Sequence, residues 1–313
     1  MLKSWETIKY TGGWGLDYRE IGYVLGKRLI HHHYGIEMID IGTDISITGA
    51  ELVSKGEADV GITRPPAIKW ALEGMAPFKS RLKNLRAVAV LPRFLSVNLA
   101  VKAEAGIESW GQLVKKRYPL KVKGTERRTH IQGVIHSQIL NEYGASFEDI
   151  ESWGGRLYIG PDGYIQEFDT AERMIDAINK GTLDGLFTSK GAELARINRA
   201  IPLKFLTIED EIAVKLKQKY GHRMIRVLPD TLFPGQDQEF TTVLVGGLLL
   251  YTREEVSKVF VRTLARVIHE NSLELASCQD GVVGVPGIDL ANTWGIPIHE
   301  GAKEYYRSQG WLP

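Results

Sequence analysis

The chain has 313 residues, of which 43% are hydrophobic and 25% are charged, a composition typical of a globular protein with about two domains. Lys plus Arg number 39 and Asp plus Glu number 38, so the net charge indicates neither a nucleic-acid partner nor a membrane-surface partner. Cys278 is the only cysteine, which excludes an intrachain disulfide and a thiolate metal cluster.

Strand and helix patterns alternate along most of the chain. Gly56 is predicted to be the C-cap of one helix, and Thr170 is predicted to be the N-cap of a helix over 171–180. The longest apolar run, 243–251, is predicted to be one buried strand and is too short to span a membrane. The alternation predicts α/β layers with mostly parallel sheets. Further strands are predicted at 36–41, 58–62, 86–91, 95–101, 120–123, 183–187 and 203–206, and a further helix is predicted at 129–143. The strongest helical pattern follows Arg253, and its apolar face is formed by Val256, Val259, Phe260, Leu264, Val267 and Ile268.

A glycine-rich loop over 10–18 lies between a short predicted strand and a predicted helix. Glycines let a ligand approach the backbone closely, and the start of a helix offers free N–H groups to an anion. The loop is not a dinucleotide-binding motif, because Tyr18 replaces the third glycine, and it lacks the Lys-Ser/Thr of a P-loop. The residues alone leave an ordinary strand-to-helix turn open. The candidate ligand contacts here are Thr11, Gly12, Gly13, Trp14 and Tyr18.

A second group of candidate contacts combines a polar loop with an arginine. Arg64 follows a predicted strand at its carboxyl end, where open α/β sheets place ligands, and its planar guanidinium suits a carboxylate. Asp44 is the obvious partner for that charge, although Asp44 or Ser46 can also be explained as a helix N-cap. A surface arginine is the alternative for Arg64. The candidates are Thr43, Asp44, Ser46, Thr63 and Arg64.

The third candidate region is the charged loop over 124–130, which precedes a predicted helix. An arginine at a helix start could hold a second anionic group, although a solvated run of charge is the usual outcome of such a sequence. We prefer Arg128 to Arg127, because Arg128 adjoins Thr129. The candidate contacts are Thr125, Arg128 and Thr129.

Several segments, taken in order, resemble the TAXI family of solute-binding proteins, the extracytoplasmic receptors of TRAP transporters. They are 11–15, 56–62, 184–187, 231–243 and the tail 295–306, and the Pro-Gly-Gln-Asp run at 234–237 is the most specific of them. The resemblance implies an α/β fold with two-lobe periplasmic-binding-protein-like architecture, a central ligand cleft and crossing hinge strands. It places the crossings near 95–102 and 229–243. Lobe one would comprise 1–98 plus 241–313, and lobe two would comprise 99–240.

The resemblance also adds two site residues and an expectation about selectivity. Ser189 occupies a turn that lines lobe two in the family, and Phe233 stands where the family usually carries Tyr before Pro. Aromatic Trp14 and Phe233 predict a ligand with one charged end and an apolar or aromatic body, and not a compact dicarboxylate. The alternative is that Trp14 packs on its own helix and Phe233 packs against the hinge.

The function implied by the resemblance is binding rather than catalysis. We expect a periplasmic, monomeric receptor that captures a small organic anion, a carboxylate, for the membrane components of a TRAP-type secondary transporter, without cofactor, metal or nucleic acid. No Gly-x-Ser-x-Gly or His-Glu-x-x-His motif indicates a catalytic residue. The alternative is a cytoplasmic enzyme on the same two-lobe fold acting on a small carboxylate, with Asp44 and His130 as an acid/base pair. The start at Met1 without a signal-like segment leaves a removed signal and a cytoplasmic location both open.

Overall fold

The computed structural model describes residues 6–12, 16–40, 47–91, 95–124, 130–159, 166–188, 191–278 and 287–313. The chain divides into two compact units. Unit 1 comprises residues 1–94 and 246–313, and therefore contains both chain ends, whereas unit 2 comprises residues 95–245. The sequence prediction had placed the two boundaries at 98/99 and 240/241, so the observed unit 2 is longer at both ends.

Strands and helices alternate along the described chain. The strands are β1 (Glu6–Gly12), β2 (Tyr34–Asp40), β3 (Val60–Thr63), β4 (Leu85–Leu91), β5 (Ser96–Lys102), β6 (Lys121–Lys123), β7 (Arg156–Tyr158), β8 (Gly185–Thr188), β9 (Leu203–Phe205), β10 (Arg223–Val227), β11 (Phe240–Leu244) and β12 (Leu248–Arg253). The helices are α1 (Leu16–Leu29), α2 (Thr48–Lys55), α3 (Pro65–Glu73), α4 (Trp110–Lys115), α5 (Ile131–Glu142), α6 (Phe147–Ser152), α7 (Ala171–Asn179), α8 (Gly191–Ala200), α9 (Asp210–Tyr220), α10 (Lys258–Glu270), α11 (Ser272–Ser277) and α12 (Glu300–Ser308).

Unit 1 is built on a sheet with the strand order β2-β1-β3-β12-β4. Strand β1 is parallel to β2 and β3, whereas β12 runs antiparallel to both β3 and β4. The apolar core joins the sheet to α1, α10 and α12 through buried residues such as Leu25, Leu264 and Tyr306. Burial of these apolar side chains is the main favourable term in folding of the unit.

Unit 2 is built on a second sheet with the order β10-β11-β5-β8-β6-β7, and β9 also pairs with β5. Strands β6, β7 and β8 are parallel, and β5 runs antiparallel to β8. One core cluster in this unit combines Met174 and Ile178 of α7 with Phe205, Phe233 and Phe240.

The prediction of mostly parallel sheets is wrong, because both sheets are mixed. Every antiparallel pair among the described strands includes β5, β11 or β12. These three strands flank the two connections between the units, since unit 2 begins at residue 95 and ends at residue 245. The alternation of strand and helix patterns carries no information about the direction of such connecting strands.

The prediction of a single strand over 243–251 is also wrong. The apolar run is divided between β11 and β12, and Gly246 lies between them with φ of 80°. This left-handed conformation is readily adopted by glycine and interrupts a strand. The run predicted burial correctly, because the residues of β12 from Leu248 to Tyr251 are fully buried, but it did not predict strand continuity.

The predicted helix ends are largely confirmed. Gly56 is a left-handed C-cap, and the Thr170 hydroxyl accepts a hydrogen bond from the backbone N–H of Arg173. The strongest helical pattern forms α10, although Val259 is 66% exposed and was wrongly assigned to the buried face. In the tail, the His299 ring caps α12, and a side chain at Gly301 would overlap the backbone of α10.

Candidate functional site

The parallel strands of unit 1 end together at one edge of the sheet. Strands β1, β2, β3 and β4 all point in the same direction, so Gly12, Asp40, Thr63 and Leu91 mark this carboxyl edge of unit 1. Open α/β sheets bind ligands at such an edge. The structure therefore brings the described part of the first candidate loop and the Thr63–Arg64 pair to neighbouring strands of one edge.

The end of β1 depends on close packing around Gly12. A Cβ atom at Gly12 would lie 2.8 Å from Tyr10 Cε1 and 3.3 Å from the Tyr18 carbonyl oxygen. The Tyr10 hydroxyl donates to that same carbonyl at 3.0 Å, and the Tyr18 ring packs against the core of unit 1. The hydrogen bond and the missing side chain at Gly12 thus hold the first turn of α1 against the end of β1. Thr11 is fully buried beside this contact.

Arg64 occupies the position that the sequence predicted, directly after β3 and before α3. The prolines at the first two positions of α3 favour the start of the helix at this point. The side chain is only 5% exposed, and its Nη1 donates to the Gly246 carbonyl at a long distance of 3.4 Å. A guanidinium has five N–H donors, so this bond is compatible with a bidentate bond to a carboxylate.

Two residues beside Arg64 were not predicted from the sequence. A side chain at Gly246 would overlap the ring of Trp294, so the indole covers the glycine whose carbonyl accepts from Arg64. The Gly246-Gly247 pair interrupts the apolar run over 243–251, and this interruption could have identified Gly246 from the sequence. No local pattern indicates Trp294, because the contact joins residues that lie far apart in the chain.

Many of the candidate contacts lie outside the described residues, and their assignment stays a prediction. They are Gly13, Trp14, Thr43, Asp44, Ser46, Thr125, Arg128, Thr129 and Ser189. The proposed acid/base pair is untested for the same reason, since it requires Asp44. Its other member, His130, is the N-cap of α5, where Nδ1 accepts from the backbone N–H of Gln132 at 3.4 Å.

The carboxyl edge of unit 2 is formed by the ends of β6, β7 and β8 and the start of β5. Two buried polar residues lie at this start, and the Asn98 amide donates to the Ser96 hydroxyl at 3.0 Å. At the end of β6, Lys123 Nζ lies 3.7 Å from a carboxylate oxygen of Glu193. The described residues at this edge therefore include a neutral hydrogen-bonded pair, Ser96 and Asn98, and an ion pair, Lys123 and Glu193, in which the two charges cancel.

A buried histidine lies behind the same sheet. The ring of His136 packs on Phe187 with a centroid distance of 4.0 Å, and Trp110 lies at 5.9 Å. Burial lowers the pKa of His136 to about 3, a backbone hydrogen bond at Asn98 acts in the opposite direction, and nearby His130 adds to the lowering. The ring is therefore neutral at physiological pH and acts as a core residue.

Phe233 lies in the core of unit 2. Its ring is 4% exposed and stacks on Phe205 at a centroid distance of 4.8 Å. The surrounding turn is closed by a hydrogen bond from the Gly235 N–H to the Asp230 carboxylate at 2.7 Å and by another from the Gln236 N–H to the Phe233 carbonyl at 3.0 Å. Phe240 of the connecting strand β11 is another ring partner at 6.4 Å, so this placement favours the alternative that Phe233 packs against the hinge.

The family assignment rests on nearly the whole chain. The profile of the family described as "NMT1-like family" matches residues 10–310, and the chain belongs to this family. This description does not name the TAXI family. Within the described residues, the helices lack the combination of length and apolar character that crossing a membrane requires.

One solved structure of low sequence identity shares the fold, and two others are similar to a smaller degree. XAC2383 from Xanthomonas citri, bound to ATP, is 9% identical and has a TM-score of 0.52, with 98% of this chain and 100% of that chain covered. MatC (Rpa3494) from Rhodopseudomonas palustris with bound malate has 11% identity, a TM-score of 0.49 and coverages of 98% and 99%. A TctC solute-binding protein from Polaromonas has 12% identity, a TM-score of 0.49 and coverages of 97% and 98%. The predicted fold class, an α/β two-lobe periplasmic-binding-protein-like architecture, is confirmed.

Proposed function

We propose that this protein is an extracytoplasmic receptor that binds a small carboxylate and delivers it to the membrane components of a TRAP-type transporter. The observation that carries the proposal is the nearly buried guanidinium of Arg64 at the carboxyl edge of unit 1. A guanidinium has five N–H donors in a planar fork, so it can bond a carboxylate in addition to groups of the protein, and a carboxylate matches it in charge and in geometry. The TAXI resemblance of the sequence and the confirmed fold class support the same class of protein.

The further assignments follow from the TAXI resemblance. A receptor of this kind works in the periplasm, as a monomer, without a cofactor. Among the described residues, no group of three or more histidine, cysteine or acidic side chains is arranged to hold a metal ion. The expectation of an apolar ligand body now rests on Trp14 alone, because Phe233 lies in the core.

A thermal-shift comparison of acids with their amides tests the carboxylate assignment. A ligand that binds only the folded protein raises its Tm. We expect 3-phenylpropionate or hexanoate to raise the Tm, whereas 3-phenylpropanamide and hexanamide do not. Equal shifts for an acid and its amide would contradict the proposal.

Mass spectrometry separates the receptor from the enzyme alternative. We expect a carboxylate to copurify with the protein and to be recovered unchanged after prolonged incubation with it. Conversion of that molecule by the purified protein would favour the enzyme.

A further inference from the structure

Trp294 has a backbone conformation that a tryptophan rarely adopts. Its φ is 61°, and the φ of Gly295, the next residue, is 81°. The Ile296 N–H donates to the Thr293 carbonyl at 3.1 Å, and the Thr293 hydroxyl donates to the Ile296 carbonyl at 2.8 Å, so these residues form a closed turn. Positive φ at both central residues is the pattern of a type I′ turn, which prefers Asn, Asp or Gly there. A bulky side chain is unfavourable at such a position, so the turn itself does not explain the tryptophan.

The contact between the indole and Gly246 supplies an explanation. An added Cβ at Gly246 would lie 2.1 Å from Cζ2 of Trp294, so the ring fills the space beside the glycine where a side chain would be. Gly246 lies between β11 and β12 with φ of 80°, and a glycine by itself leaves the direction of its carbonyl weakly defined. The packed ring restricts this freedom. A strained backbone persists where the surrounding structure holds it, and such strain is frequent at functional sites.

The carbonyl that the indole restrains is the one that accepts from Arg64. The bond from Arg64 Nη1 to the Gly246 carbonyl measures 3.4 Å, which is already longer than an ordinary N–H···O bond. A small displacement of Gly246 would therefore break it, and the arginine would lose one of the contacts that orient its guanidinium. A planar guanidinium binds a carboxylate through two parallel bonds only when its plane is correctly directed. The position of the Gly246 carbonyl thus bears on carboxylate binding.

We infer that Trp294 is a positioning residue for the carboxylate site, because it acts through Gly246 to hold the Arg64 guanidinium in the orientation that binds the ligand. This inference rests on the proposed function, since Arg64 holds the carboxylate. The chain after the turn is anchored to the sheet, where the Pro297 carbonyl accepts from the Ala87 N–H of β4 at 2.8 Å. The indole therefore stands on a fixed support, as precise positioning requires. Loss of the ring weakens carboxylate binding without removing any atom of Arg64.

Trp294→Asn tests this role while keeping the turn. Asparagine tolerates the left-handed conformation, so the variant removes the ring without adding backbone strain. We would measure the Kd for 3-phenylpropionate and hexanoate by calorimetry. The Kd of the acid that binds should rise by about threefold to tenfold, the range expected when one hydrogen bond is lost. Trp294→Gly, which also fits the turn, should give the same rise.

A double variant separates positioning from direct contact with the ligand. In Arg64→Ala combined with Trp294→Asn, the Kd should be no higher than in Arg64→Ala alone, because residues that act as a unit are not additive. An indole that contacted the ligand itself would instead raise the Kd further.

Trp311→Asn is the matched control. Its indole also packs over a glycine of unit 1, since an added Cβ at Gly287 would lie 2.2 Å from Cζ2 of Trp311, and it contacts the Tyr306 ring of α12. This variant should lower the Tm of the unliganded protein and leave the Kd unchanged. An unchanged Kd in both Trp294 variants, an equal rise in Trp311→Asn, or a further rise in the double variant overturns this inference alone. If neither acid binds, or if Arg64→Ala does not raise the Kd, the carboxylate assignment fails and this inference fails with it.

Discussion

The carboxyl edges of the two sheets differ in the charge of their described residues. In unit 1, the cationic Arg64 is nearly buried beside the carbonyl of Gly246. In unit 2, the Ser96–Asn98 pair is neutral, and Lys123 is compensated by Glu193. The proposed function assigns the anionic end of the ligand to Arg64 of unit 1, and the described residues at the unit 2 edge carry no comparable buried cation.

The aromatic core of unit 2 provides the largest expected effect. Phe233→Ala should lower the free energy of unfolding by about 3 to 5 kcal/mol, because it removes a buried ring from a stacked cluster. Urea denaturation followed by circular dichroism measures this loss, and Phe233→Leu should cost only about 1 kcal/mol. Carboxylate affinity should not change in the leucine variant. An affinity loss without a stability loss would show that Phe233 contacts the ligand instead.

The packing of Gly246 against Trp294 provides the next effect, now in unit 1. Gly246→Ala should cost about 3 kcal/mol, because it combines a left-handed backbone with an overlap of the indole ring. Gly295→Ala is the matched control, since Gly295 has φ of 81° but no atom within 4 Å of an added Cβ. It should cost about 1 kcal/mol. Equal losses in the two variants would show that the indole does not cover Gly246.

Acid should destabilise unit 2 through His136. The folded pKa of about 3 lies below the ordinary histidine pKa of 6.5, so the unfolded chain binds more protons between these pH values. Stability should therefore fall as the pH decreases from 6.5 toward 3, by about 3 kcal/mol at pH 4. His136→Leu should remove this component, as measured by urea denaturation at pH 7 and pH 4. The same pH dependence in wild type and variant would contradict the assignment.

The smallest expected effect concerns the ion pair at the unit 2 edge. Lys123→Met should change carboxylate affinity by less than about twofold, because partly exposed, compensated pairs contribute little. Calorimetry with the acids above measures this change. A tenfold loss would show that unit 2 shares the recognition of charge, and the contrast between the two edges would then be wrong.

Local patterns predicted the elements and their ends better than the connections between them. Gly56 and Thr170 were identified because a helix cap depends on a few adjacent residues. The break at Gly246 and the mixed sheets were missed, because an apolar run reports burial but not strand direction or continuity.

The same limit applies to the candidate site. Arg64 was correctly placed after β3, since its position follows from the strand pattern alone. Trp294 was missed, because it contacts Gly246, a residue far from it in the sequence. The family resemblance predicted that Phe233 contacts the ligand. In the structure Phe233 packs against Phe205 and Phe240, which belong to two different strands, and no local sequence pattern predicts these contacts.

The central claim, that Arg64 holds the carboxylate, is tested most directly by calorimetry on Arg64→Ala with 3-phenylpropionate and hexanoate. A bond between a buried guanidinium and a carboxylate contributes about 1.5 to 3 kcal/mol, so the Kd for the acid that binds should rise by about tenfold or more. Arg81→Ala, which removes an exposed arginine of the same unit, should leave the Kd unchanged. An unchanged Kd in Arg64→Ala would contradict the account.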